Sequence, residues 1–137
     1  MGGTIVRVSR QGFERFFDHY GRALSAGDLE TIVGCFAPPS IIVDDSRTTL
    51  MVNRKELLQY FNGIEERYQA LGAFTATTSV GAIEQLSPTL WLVDVRWDSF
   101  DESGAPASVD VETNKYLLRH REPEEMLIVA ALVTEST

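Results

Sequence analysis

Cysteine, positive charge and long apolar runs are all scarce in this sequence. Cys35 is the single cysteine, so an internal disulfide is excluded, and one thiol with two histidines makes a structural zinc site unexpected. Twenty acidic residues outnumber twelve basic ones, and the net charge of −8 makes nucleic acid and acidic membrane surfaces poor partners. No apolar run reaches the roughly 18 residues that a membrane-spanning helix needs. The opening MGGTIVRVSR lacks the apolar core of a signal peptide, so we expect a cytoplasmic protein.

The composition that remains is that of an ordinary globular protein. The 137 residues are 44% apolar and 23% charged, which is enough to bury one core without crosslinks. We expect a single domain over residues 1–137, with residues 1–8 as a disordered tail. Cys35 is expected to be a small buried apolar residue, as free cysteines usually are.

Helical periodicity predicts three helices in the first half of the chain. The first has an aromatic face, and a short second helix and a longer third helix follow it. Each has a capping residue before it and a glycine or proline stop after it. The expected pairs of cap and stop are Ser9 with Gly27, Asp28 with Pro38-Pro39, and Asn53 with Gly72. The expected apolar faces are Phe13, Phe16, Phe17, Tyr20 and Leu24, then Leu29, Ile32, Val33 and Phe36, then Leu57, Phe61, Ile64, Tyr68 and Leu71.

Strand patterns dominate the second half. The clearest alternation runs from Trp91 to Asp98, with tryptophan and valine on one face and charged residues on the other. Helices first and a four-strand meander last indicate an α+β protein, in which three N-terminal helices pack on a curved antiparallel sheet and enclose a cone. The predicted strands are Ile41 to Asp44, Thr48 to Val52, Phe74 to Leu86, Trp91 to Asp98, Ala107 to Arg119 and Met126 to Thr134.

One short stretch, IIVDDS at residues 41–46, has two interpretations. A strand followed by Asp44, Asp45 and Ser46 is ordinary turn chemistry. A carboxylate at the end of an apolar strand can instead lie in a pocket, where desolvation raises its pKa and makes it a useful base. The residues themselves leave both interpretations open for Asp44.

The stretch YGRALSAGDL at residues 20–29, followed by Phe36-Ala37, resembles the NTF2-like superfamily, which includes ketosteroid isomerases and SnoaL-type polyketide cyclases. The resemblance implies the cone fold, a homodimer, and no metal or cofactor. Aligned on AGDL without gaps, the isomerases' oxyanion tyrosine falls on Tyr20 and their catalytic aspartate falls on Asp44. Their third polar residue, an aspartic acid, falls on Asn114, whose amide can also donate a hydrogen bond to an oxyanion.

A cone lined by aromatic side chains would suit a small hydrophobic molecule. Core packing alone would also explain Tyr20 and the tryptophans. Whether Asn114 can act in the site depends on the face of the strand that it occupies. If Asn114 pointed outward, Thr113 and Lys115 would face the cavity instead. The side chains expected to contact a ligand are Phe16, Phe61, Trp91, Trp97 and Tyr116.

Two kinds of function follow from these residues. In the first, Asp44 is the base, and Tyr20 and Asn114 are hydrogen-bond donors, in a cofactor-independent proton transfer on a small hydrophobic carbonyl compound, as in an isomerase or cyclase. In the second, the protein is non-catalytic and uses the cone to hold a small ligand, or its sheet to assemble as a dimer. A structural accessory domain that associates with another chain is a third, lesser alternative.

Overall fold

The chain forms four helices and six strands within the residues that the computed structural model describes, which are 8–107, 112–121 and 125–134. The tail expected over residues 1–8 therefore lies, apart from Val8, outside the described residues. None of the described helices is long and apolar enough to cross a membrane. The helices are α1 (Arg10–Ala26), α2 (Leu29–Gly34), α3 (Arg54–Phe61) and α4 (Ile64–Ala70). The strands are β1 (Phe36–Val43), β2 (Thr48–Met51), β3 (Thr75–Gln85), β4 (Leu90–Phe100), β5 (Glu112–Arg121) and β6 (Glu125–Thr134).

The strands form one sheet in the order β2-β1-β6-β5-β4-β3. Neighbours are antiparallel except β1 and β6, which pair in parallel. The α+β class is confirmed, whereas the expectation of a wholly antiparallel sheet is wrong, because the sheet is mixed. The meander of β3 to β6 is antiparallel, and its last strand returns beside β1 in the same direction. A pairing between residues so far apart in the chain leaves no local pattern in the sequence.

The sheet is interrupted by register shifts that bend it around the helices. Shifts occur in three of the strand pairings, and a bulge both bends a strand and increases its twist. The concave face that results carries the core. The shifts lie between Phe36 and Ile41, between Val80 and Ile83, and between Leu117 and Leu118.

The helix caps agree with the sequence, but the third helix does not. Ser9, Asp28 and Asn53 each accept a hydrogen bond from a backbone N–H three residues further on, at 3.1, 3.3 and 3.0 Å. The single third helix is instead two helices, α3 and α4, which Asn62 and Gly63 separate. Gly63 adopts a φ of 79°, a conformation that side-chain-bearing residues avoid, so the helix cannot continue through it.

The second helix also ends earlier than predicted. Pro38 and Pro39 were expected to stop it, yet α2 ends at Gly34, and both prolines lie within β1. Phe36 is consequently a strand residue rather than part of the helical face. Proline is tolerated there because the β1–β6 pairing is interrupted between Phe36 and Ile41, where no ladder N–H is required.

The core lies between the helices and the concave face of the sheet. Cys35 is buried there, with 4% of its surface exposed, as expected from the sequence. The predicted strand from Ala107 to Arg119 corresponds to β5, and residues 108–111 and 122–124 lie outside the described residues. The fully enclosed side chains at the centre of the core are Phe13, Phe17, Ile32, Leu57, Val93, Val95, Leu118 and Ile128.

Candidate functional site

A cavity of about 180 Å³ lies between the helices and the concave face of the sheet. Helices α1, α3 and α4 supply one wall, and strands β1, β3, β4, β5 and β6 supply the other. Most of the lining is aromatic or aliphatic, with a few polar groups among it. The lining side chains that matter here are Tyr20, Leu24, Tyr60, Phe61, Ile64, Glu65, Tyr68, Phe74, Ala76, Trp97, Glu112, Asn114, Tyr116 and Val133.

All four tyrosines of the chain line this cavity. Burial raises the pKa of the Tyr20 and Tyr116 hydroxyls well above the usual value. Burial also raises the pKa of Tyr68 to about 12, with the charge of Glu112 adding to the effect. The pKa of Tyr60 is raised as well, by burial first and by the charge of Asp44 second. The four hydroxyls are therefore neutral at physiological pH, and each can donate as well as accept a hydrogen bond.

A buried polar cluster joins β4 to β5 at the cavity wall. The indole Nε1 of Trp97 donates to the Tyr116 hydroxyl oxygen at 3.1 Å, and Asn114 Nδ2 donates to the same oxygen at 3.3 Å. Asn114 and Tyr116 lie opposite Val95 and Val93, so both point to the concave face. Asn114 is 5% exposed, and its Oδ1 has no hydrogen-bond partner among the described residues. A buried carbonyl oxygen without a partner is rare and costly.

Tyr20 lies in the same aromatic group. Its ring centroid is 6.0 Å from that of Trp97 and 6.3 Å from that of Tyr116, with both pairs edge to face. The structure therefore brings Tyr20 and Asn114, two of the three residues predicted for catalysis, into the lining of one cavity.

The third, Asp44, lies in a turn and is not among the lining residues. Because β1 ends at Val43, the Asp44 side chain caps the turn toward β2 instead of continuing the strand face. Its Oδ1 accepts from Ser46 N at 2.8 Å, from Ser46 Oγ at 2.9 Å and from Arg47 N at 2.9 Å. These hydrogen bonds lower the pKa of Asp44, whereas the pocket interpretation called for a raised pKa.

The five residues predicted to contact a ligand divide into two groups. Phe61, Trp97 and Tyr116 line the cavity. Phe16 and Trp91 are not among the lining residues, and their rings pack against other aromatic rings of the core. The Phe16 ring lies 5.1 Å from Phe17 and the Trp91 ring 5.5 Å from Phe13.

Sequence reasoning missed several lining residues. Tyr60 was outside every predicted apolar face, and Tyr68 was assigned only to a helix face. Tyr60 lines the cavity from α3, and Tyr68 lines it from α4. The sequence did contain a signal for these residues, because three of its four tyrosines, Tyr20, Tyr60 and Tyr68, lie in predicted helices. Among the described residues, no three His, Cys, Asp or Glu side chains are grouped so that they could hold a metal ion.

Comparison with known families shows to which family this chain belongs. Residues 10–136 match the model of a family described as NTF2-like protein (DUF6841). The chain belongs to this family of NTF2-like proteins. No curated protein matches the chain.

Solved structures support the same fold. A cystatin-like domain of unknown function from Nostoc punctiforme PCC 73102 matches with a TM-score of 0.71 and 14% identity, over 93% of this chain and 76% of that chain. An NTF2-like protein of unknown function from Shewanella oneidensis MR-1 matches with a TM-score of 0.66 and 13% identity, over 88% and 94%. A ketosteroid isomerase-like protein from Erwinia carotovora atroseptica SCRI1043 matches with a TM-score of 0.63 and 13% identity, over 90% and 93%. At these identities the likeness concerns the fold alone.

Proposed function

We propose that this NTF2-like protein binds a small, mostly apolar molecule in the cavity. The observation that carries the proposal is an aromatic-lined cavity with a few buried polar groups on its wall, which is the usual character of a ligand site. A dry cavity of about 150 Å³ is large enough to bind benzene. The volume of about 180 Å³ therefore favours a molecule of one ring rather than a steroid-sized compound.

Toluene is the simplest probe of this proposal. Ala76 lines the cavity from the edge strand β3, so Ala76→Phe places a phenyl ring where the ligand would lie. We expect toluene to shift the amide NMR signals of lining residues in the unmodified protein. In Ala76→Phe its affinity should fall by about tenfold or more, the loss that corresponds to about 1.4 kcal/mol.

The matched control is Ala82→Phe, which adds the same ring at an exposed position of the same strand. Ala82→Phe should bind toluene as the unmodified protein does. Circular dichroism of both variants checks that the fold is intact. No toluene binding to the unmodified protein, or equal binding to both variants, would contradict the proposal.

Proton transfer on a carbonyl compound is a second candidate. It is favoured by Tyr20 and Asn114 lining the same cavity, and by Asp44 lying close enough to Tyr60 to raise the pKa of its hydroxyl. The lowered pKa of Asp44 weakens it as a base. The test is exchange of the α-hydrogens of cyclohexanone in D₂O, followed by proton NMR. Catalysed exchange that Asp44→Asn abolishes would support this candidate, and no acceleration by the unmodified protein would rule it out for small ketones.

A homodimer through the convex face of the sheet is also proposed. The register aligns five apolar residues across five strands of this face, which we call the outer row. Leu50, at the β2 end of this row, is 56% exposed. The neighbouring Lys115–Asp94 ion pair, with Nζ and Oδ1 2.7 Å apart, would form part of a polar rim. The outer row consists of Leu50, Ile41, Ala130, Leu117 and Leu92.

A further inference from the structure

The unpartnered oxygen of Asn114 restricts what can occupy the cavity. Asn114 is buried within β5, and its amide nitrogen already donates to Tyr116. Asn114 lines the cavity, and its buried Oδ1 has nothing to accept from among the described residues. Leaving such an acceptor unpaired costs free energy that a ligand carrying a hydrogen-bond donor would recover.

The hydroxyl of Tyr116 restricts the ligand further. Its oxygen accepts from Trp97 Nε1 at 3.1 Å and from Asn114 Nδ2 at 3.3 Å. Both acceptor positions of the oxygen are thereby used. The hydroxyl hydrogen has no acceptor among the described residues, and burial keeps the group protonated by raising its pKa. Tyr116 therefore offers a donor at the place where Asn114 offers an acceptor.

One hydroxyl group satisfies both requirements, because it donates one hydrogen bond and accepts others. It would donate to Asn114 Oδ1 and accept from the Tyr116 hydroxyl. With Nδ2 donating to Tyr116, a ketone or an ether only accepts, so it would leave Oδ1 unpaired. If the amide oxygen and nitrogen of Asn114 exchange places, Tyr116 donates to the amide oxygen, and the unpaired group is an N–H that an ether oxygen satisfies as well as a hydroxyl does.

We propose that the ligand is a phenol or alcohol of about one ring, whose hydroxyl binds between Asn114 and Tyr116. This inference rests on the proposed function, since it names the chemical class that the cavity takes. The ring would lie among the aromatic side chains, as the apolar lining favours. Asn114 and Tyr116 are then specificity-determining residues, and the position that the isomerase resemblance assigns to an oxyanion donor becomes one that also accepts.

Three probes of nearly equal shape separate these possibilities by isothermal titration calorimetry. Toluene has no polar atom, 4-methylanisole accepts but does not donate, and 4-methylphenol does both. We expect 4-methylphenol to bind the unmodified protein about tenfold more tightly than either of the others, as a net gain of about 1.4 kcal/mol would give. Asn114→Leu and Tyr116→Phe should each reduce the ratio between 4-methylphenol and toluene toward one.

Each outcome bears on a different proposal. If none of the three probes binds, the ligand cavity itself is wrong. If all three bind with similar affinity, the cavity is a ligand site, but water rather than the ligand satisfies Asn114 and Tyr116, and the hydroxyl proposal fails. A preference for 4-methylanisole would also overturn it, because an acceptor alone would then suffice. Tyr116→Phe removes one oxygen atom only, so it keeps the test valid if Asn114→Leu fails to fold.

Discussion

Asp44 and Asn114 show that the position at which a strand ends, to within one residue, determines whether a side chain faces the cavity. Both were assigned to the site by the same resemblance. Asn114 lies within the paired part of β5, and the strong alternation of the neighbouring strand from Trp91 to Trp97 fixes which face it occupies. Asp44 follows the last residue of β1, where the ladder stops and side-chain alternation no longer applies. Helix and strand ends are uncertain by one or two residues even in a structure, so no pattern in the sequence could place the Asp44 carboxylate.

The turn of Asp44 predicts a dependence of stability on pH. Hydrogen bonds from Ser46 and Arg47 lower its pKa from 3.8 in the folded state, so the carboxylate stabilises the fold when the pH is above the unfolded pKa. That contribution is lost as the pH falls through the folded pKa. Asp44→Asn should therefore be less stable than the unmodified protein near neutral pH. The difference should shrink as the pH falls below about 4, because both side chains are then neutral.

Urea unfolding at a series of pH values measures this effect. Asp45→Asn is the matched control, since it removes the same charge from the next residue and leaves the hydrogen bonds of Asp44 in place. The control should show no comparable loss at neutral pH. A difference between Asp44→Asn and the unmodified protein that stays constant across the pH series would show that the carboxylate charge is not what stabilises this turn.

At the scale of elements, the wall of the cavity depends on how the end of α1 meets α4. The sequence predicted α1 with both of its ends, since its cap, its aromatic periodicity and its glycine stop all agree. It did not predict that α4 is a separate helix, because a single glycine inside a periodic pattern is often tolerated. The parallel pairing of β1 with β6 was likewise unpredictable, since it depends on contacts between distant parts of the chain.

Gly27, at the end of α1, lies against Glu65 of α4. It has a φ of 67°, and a Cβ built there would lie 2.6 Å from Glu65 Oε2 and 3.0 Å from Glu65 Cβ. Gly27→Ala should destabilise the protein by about 1–2 kcal/mol, the cost of a left-handed conformation for a side-chain-bearing residue. It should also weaken ligand binding, because Glu65 lines the cavity and would have to move.

Gly34→Ala is the control for this prediction. Gly34 has an ordinary φ, and a Cβ there meets nothing within 4 Å, so its unfolding free energy should change little or rise slightly. Urea denaturation of the two variants gives the comparison directly. Equal stability of both would show that the left-handed position of Gly27 carries no strain for alanine.

At the scale of the whole molecule, the two faces of the sheet serve different purposes. The concave face holds the cavity and its polar cluster, and the convex face holds the outer row. Helices cover only the concave side of the core, so the outer row remains partly exposed in a single chain. The alternation that predicts one buried face cannot by itself say what covers the other, because half-buried apolar residues on an outer face fit either a monomer or an assembly.

The convex face predicts a dimer that one charge should disrupt. Leu117 lies within the outer row, between Ala130 on β6 and Leu92 on β4. Leu117→Lys would place an unpaired ammonium group within the proposed interface, where desolvation of the charge is costly. By sedimentation velocity at micromolar concentration, we expect the unmodified protein to be a dimer and Leu117→Lys to be a monomer.

Leu86→Lys is the matched control for this prediction. It makes the same change at a 50% exposed residue in the turn after β3, away from the outer row, and should remain dimeric. An unmodified protein that sediments as a monomer, or a Leu117→Lys variant that still dimerises, would rule out this face as the interface.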